Sequence, residues 1–154
     1  MDVEEREARL RAAARDIRRS ADAFGQRHTA ADPGSGEEWD RGQLLSHLVE
    51  MLDYWVDELE RVVAKHDGVE PFGRTKETPS RLERIESGRH DAVAAQLDAI
   101  DAGVERAVGF MRGLAAPDWE VVGVHPRLGP MTVADSVERF IVAHMEEHRE
   151  QLAG

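Results

Sequence analysis

Cysteine is absent from this 154-residue chain, which excludes disulfides, thiolate metal ligands and a cysteine nucleophile together and leaves the redox compartment unmarked. Any sulfur nucleophile has to arrive with a substrate. Lysine is nearly absent as well: Lys65 and Lys76 stand alone among 20 basic residues, an arginine bias that suggests a GC-rich bacterial genome. Long apolar runs are missing, and the opening MDVEEREARLRAAARDIRRS alternates charges where a secretory signal would carry an apolar core. The expectation is a cytoplasmic protein with no membrane partner. Acidic residues outnumber basic ones by 31 to 20, and the resulting net charge of -11 would repel a phosphate backbone, so no nucleic-acid partner is expected.

What is present is helical periodicity. Hydrophobic residues make up 41% of the chain, enough for the core of a single domain spanning residues 1–154. Apolar spacing of three and four predicts a first helix from about Val3 to Arg27, with Leu10, Ala14, Ile17, Ala21 and Phe24 on one stripe. Asp40, followed by Gln43 in capping-box register, opens a second helix through Leu44, Leu48, Met51, Leu52, Trp55, Leu59 and Val62 to about His66. Ser80 and Glu83 offer another capping box, and Gly88 separates that short lead-in from a third long helix along Leu97, Ile100, Val104, Val108, Met111 and Leu114. AAPDWEVVGVHPRLGPM reads as an irregular loop, and Thr132 with Asp135 opens a last helix. No segment alternates with period two for long enough to suggest a sheet, so the expected fold is all-α, a four-helix bundle.

His144 and His148 stand one turn apart on that last helix. With Val137 at zero and about 100° per residue, Ile141 falls at about 40°, Leu152 at about 60°, His144 at about -20° and His148 at about 20°. Both imidazoles thus point into the core. Two buried imidazoles in one apolar seam are costly unless a shared partner satisfies them, and a metal ion does so because i, i+4 spacing brings both rings to one point. The plainer alternative is a pair of core histidines hydrogen-bonded to other helices. A third ligand must come from elsewhere, and His47, on the edge of the second helix's apolar stripe, is the best candidate. His28 and His66 lie near helix C-termini, His90 on a charged stretch, and His125 in the last loop, from which it can line a pocket rim. HMEEH also fits the H-x-x-E-H protease pattern, but only six residues follow it, too few for the downstream ligand that such a site needs. Glu147 is a weak candidate acid or base, flanking the stripe. Trp39, Tyr54 and Trp119 are candidate pocket aromatics, although packing is the commoner fate of such residues.

EEWDRGQLLSHLVEML, LGPMTVADSVERF and AHMEEHREQL, the last an H-x-x-x-H followed by x-x-Q, together resemble the DinB/YfiT-like family of metalloenzymes, which includes the mycothiol-dependent maleylpyruvate isomerase domain. The resemblance implies a four-helix bundle with His47, His144 and His148 as metal ligands for a divalent ion, zinc or nickel, and a homodimer. It also implies transfer or isomerisation chemistry on small molecules with a low-molecular-weight thiol such as mycothiol as cosubstrate. Isomerase members carry a glutamate where this sequence has His144, a departure that stands against a specific isomerase assignment.

The first expectation is therefore a metal-dependent enzyme, with two rivals: hydrolysis by metal-bound water, and a non-enzymatic metal-binding stress-response module. A protein that binds no ion at all is the remaining possibility.

Overall fold

The computed structural model describes residues 2–154. It is mostly helical. Helix α1 spans Val3–Phe24 and α2 spans Arg41–Lys65; strand β1 (Glu70–Pro71) and helix α3 (Pro79–Gly88) follow, and α4 covers Val93–Gly113. A short 3-10 turn at Ala116–Glu120 leads into strands β2 (Val122–His125) and β3 (Gly129–Thr132). The chain closes with α5 (Val133–Val137), a π-helical turn at Glu138–Val142 and α6 (Ala143–Ala153).

Local signals in the sequence account for most of these bounds. Asp40 and Gln43 make the reciprocal capping box, each side chain accepting from the other's backbone N–H at 2.7 and 2.9 Å. Thr132 Oγ1 accepts from Asp135 N at 3.0 Å and opens α5. The third start is different from expectation: α3 begins at Pro79 behind Thr78, with no side-chain cap, so Ser80 and Glu83 form no capping box. Proline serves there because its missing N–H would be unpaired in a first turn anyway.

The apolar stripes meet in one core. Leu10, Ile17, Leu44, Leu48, Met51 and Ile100 are fully enclosed, and α2 packs on α4 while α1 packs on α4 and α6. Gly103 lets α2 and α4 approach closely, since a Cβ there would meet the Leu52 side chain at 3.0 Å. No helix among the described residues is long and apolar enough to cross a membrane.

The sheet corrects the all-α expectation. The segment read as irregular loop is a β2–β3 hairpin, with Val122 opposite Thr132 and His125 opposite Gly129, and β1 adds in parallel beside β2. Strands of two to four residues are too short for period-two alternation to emerge, so the pattern was invisible in one dimension. The hairpin nonetheless sets one wall of the site.

Candidate metal centre

Three histidines from two distant helices converge. The ligand-capable nitrogens of His47, His144 and His148 all lie within 4.8 Å of one another. His47 and His144 bring their Nε2 atoms to 3.2 Å, and the His47 and His148 rings meet edge-on with centroids 5.0 Å apart.

Hydrogen bonds outside the cluster fix the tautomers. His47 Nδ1 donates to Glu50 Oε1 at 2.9 Å, and His148 Nδ1 donates to Gln151 Oε1 at 2.6 Å. Gln151 is itself oriented, because its Nε2 donates to the Ala30 carbonyl at 3.1 Å. With the proton held at Nδ1 in both rings, each Nε2 presents a lone pair to the common centre. His148 is 1% exposed, and its Nε2 is buried with no hydrogen-bond partner among the described residues. An orphaned buried acceptor of this kind is costly unless something fills the centre. Burial, reinforced by the positive charges of Arg81 and Arg74 and the neighbouring imidazole, holds His47 well below the ordinary imidazole value of 6.5. Burial lowers His144 and His148 in the same direction. The three rings are neutral at pH 7, the form that ligates a cation. The donor set therefore fits a divalent ion: three imidazole nitrogens at one point, with outer partners of the kind that orient metal-bound histidines.

The π-helical turn aims the pair. Ala143 N–H bonds to the Glu138 carbonyl five residues back, which inserts one extra residue and turns everything downstream by about 100°. On the uncorrected wheel His144 and His148 sat at the centre of the core face, with Met145 off to one side. In the structure Met145 and Leu152 occupy the core, fully enclosed, while His144 is only half-buried and both histidines face a cavity. The signal was present in the three consecutive apolar residues Phe140, Ile141 and Val142, which a regular helix cannot bury on one face.

That cavity has a volume of about 560 Å³, within the range of small-molecule sites. Trp55 and Phe140 stack at 4.0 Å in its apolar wall, and His125 stacks on Phe140 at 5.2 Å. The aromatics nominated from sequence lie elsewhere: Trp39 backs His47 as a parallel ring 5.1 Å away, Tyr54 carries the Arg74 guanidinium at 3.9 Å, and Trp119 carries that of Arg6. None of the three lines the cavity. His28 pairs with Asp40 in an isolated bridge, His66 caps α2 in a left-handed conformation, and His90 is exposed beyond α3, so none approaches the centre. Glu147 is exposed on the rim, with its carboxyl raised by partial burial and then by Asp32.

Sequence reasoning missed Glu50 and Arg74. Glu50 is 3% exposed, and both of its oxygens accept from Arg74 Nη2 at 2.7 Å while Oε1 also accepts from His47 Nδ1. Glu50 follows His47 by three residues, a spacing that places both on one helix face and could have flagged it. Arg74 lies in the β1–α3 connection and carried no local signal.

The sequence matches the DinB superfamily over residues 3–152. The chain belongs to the DinB superfamily. Among curated proteins none matches it. Two solved structures share the DinB chain's fold: a mycothiol-dependent maleylpyruvate isomerase, at a TM-score of 0.72 and 16% identity, and a histidine-to-alanine variant of such an enzyme, at 0.69 and 15%. Each likeness covers 100% of this chain and 62% of the other, so the DinB chain spans less than two thirds of those proteins.

Gly73 ties the hairpin to this site. Its φ of 89° is a left-handed conformation that side chains resist, and a Cβ there would fall 2.5 Å from the His125 ring. Gly73→Ala is expected to cost about 1–3 kcal/mol in a urea unfolding titration. A loss below experimental error would show that the His125 wall yields freely.

Proposed function

We propose that this DinB-superfamily protein is a metal-dependent enzyme in which His47, His144 and His148 hold a zinc or nickel ion, and that it transfers or isomerises a small molecule with a mycothiol-type thiol as cosubstrate. The reading includes the family's four-helix bundle, formed by α1, α2, α4 and the last helical run, and a homodimer. Its carrying observation is the buried, partnerless Nε2 of His148, aligned with two other imidazole nitrogens beside a cavity. When bound, the ion would lower the pKa of a thiol or water reaching it. His47 and His148 contribute by keeping their protons on Nδ1, bound by Glu50 and Gln151. Trp55 and Phe140 supply an apolar wall that excludes water from one side of the substrate.

The cluster offers three ligand atoms among the described residues, not four, and it opens on a cavity. That favours catalysis over a closed structural site. Hydrolysis is the second reading, favoured by Glu147 on the same rim, where a carboxyl raised by burial and by Asp32 is suited to exchanging a proton with water.

The test is elemental analysis of the purified protein beside a mycothiol-transfer assay, on the wild type and on His47→Ala. About one ion per chain and measurable transfer are expected, with both lost in the variant. Transfer that persists equally in a metal-free preparation overturns the reading, and an ion-dependent activity toward esters or amides without thiol would move it to hydrolysis.

A further inference from the structure

The cationic side chains around the cavity fall into two groups, and Lys76, which donates to the Ser35 carbonyl, belongs with the partnered ones. Arg74 is consumed by Glu50 and Arg81 by Glu37, the latter through bonds of 2.7 and 3.0 Å. Arg127 and Arg139 also line the cavity but are exposed, and among the described residues neither guanidinium donates a hydrogen bond or lies within 4 Å of a carboxylate. In a chain with a net charge of -11, two arginines without an ion pair share one cavity, with only the Glu147 carboxylate acting on Arg139 from the rim.

Both are carried by well-braced backbone. Arg127 sits in the β2–β3 turn, where His125 Nδ1 accepts from the backbone N–H groups of Arg127 and Leu128, each at 3.2 Å. The His125 ring is 3% exposed and is held by Phe140, Trp55 and Phe72. Arg139 lies in the π-helical turn, next to Phe140. The charges of both arginines act on His125. Both arginines therefore stand at the hairpin end of the cavity.

We propose that the hairpin end is a carboxylate subsite, in which Arg127 and Arg139 hold an anionic group of a small organic acid whose other end reaches the histidine cluster. This rests on the cavity being the substrate chamber of the metal centre. Guanidinium groups bind carboxylates through paired, charge-assisted hydrogen bonds, and two of them set one end of the ligand. The volume of about 560 Å³ suits an acid of modest size and no macromolecule.

The experiment titrates succinate into metal-free protein, following backbone amide resonances by NMR, with neutral succinamide and inorganic phosphate as parallel probes. Succinate is expected to shift Arg127, Leu128 and Arg139, and Arg127→Gln/Arg139→Gln should weaken it by about tenfold or more while Arg15→Gln, on the outer face of α1, leaves it unchanged. Thermal melts of each variant verify folding. Equal succinate affinity in the double variant, equal shifts by succinamide, or phosphate binding without succinate binding overturns the proposal, as does an absence of shifts at tens of millimolar succinate. Zinc content separates the two readings. Failure of the subsite leaves zinc bound in the wild type, whereas failure of the metal centre leaves the succinate shifts in place.

Discussion

His148→Ala is expected to abolish stoichiometric zinc binding and, with it, the thermal stabilisation that zinc gives the wild type. A ligand present at about 1,000 times its dissociation constant stabilises the folded state by about 4 kcal/mol, which in a domain of this size is a rise of roughly 8–16 °C in Tm. His148 provides the enclosed nitrogen with no other partner, so alanine removes the ligand whose burial is otherwise least compensated. Losing an outer hydrogen-bond partner already costs about 10–100-fold in metal affinity, and losing a direct ligand should exceed that. The readout is the zinc-induced shift, since truncation of a buried ring also leaves a cavity that lowers Tm in both states. A variant that keeps the full shift, or a wild type that has none, removes the histidine centre from consideration.

Arg74→Ala is expected to cost about 3–5 kcal/mol at neutral pH, because it leaves the enclosed Glu50 carboxylate without its ion-pair partner and with only the His47 N–H as a hydrogen-bond donor. Burial already raises Glu50 above its ordinary value of 4.5, with Arg74 pulling the other way. Without Arg74 the carboxyl moves further up. A raised carboxyl favours folding below its unfolded value and loses that contribution as pH climbs through its folded value. The deficit of the variant should therefore be largest at neutral pH and shrink as pH falls toward 4.5. Urea titrations across that window measure it, and Arg74→Met, which keeps apolar cover over Tyr54, separates charge from packing. Zinc affinity should fall about 10–100-fold in parallel, because Glu50 orients His47. A variant as stable as the wild type at pH 7 would mean that Glu50 is neutral or reaches water.

How each feature is encoded explains how readable it was. The stripes of α1, α2 and α4 were legible because a helix buries residues by local spacing alone: Leu44, Leu48, Met51, Leu52 and Leu59 are all enclosed. The capping box at Asp40 was legible for the same reason, since its partners sit three residues apart. So was the pairing of His144 with His148 on one helix, with His47 as the third member of the cluster.

What the chain determined by itself, then, was the mostly helical framework, the membership of His47, His144 and His148 in one cluster, and the lack of any sulfur nucleophile of its own. Tertiary structure decided the rest. The wheel placed both C-terminal histidines in the middle of the core, and the π-helical turn moved them to a cavity wall while giving the core to Met145 and Leu152. The hairpin behind His125 joins strands too short to announce themselves, and Arg74 meets Glu50 across 24 residues. Spacing along a helix is written in a few neighbouring residues, whereas a bulge, a short strand or a distant ion pair is chosen by the whole chain's packing, where burial and charge are balanced at once.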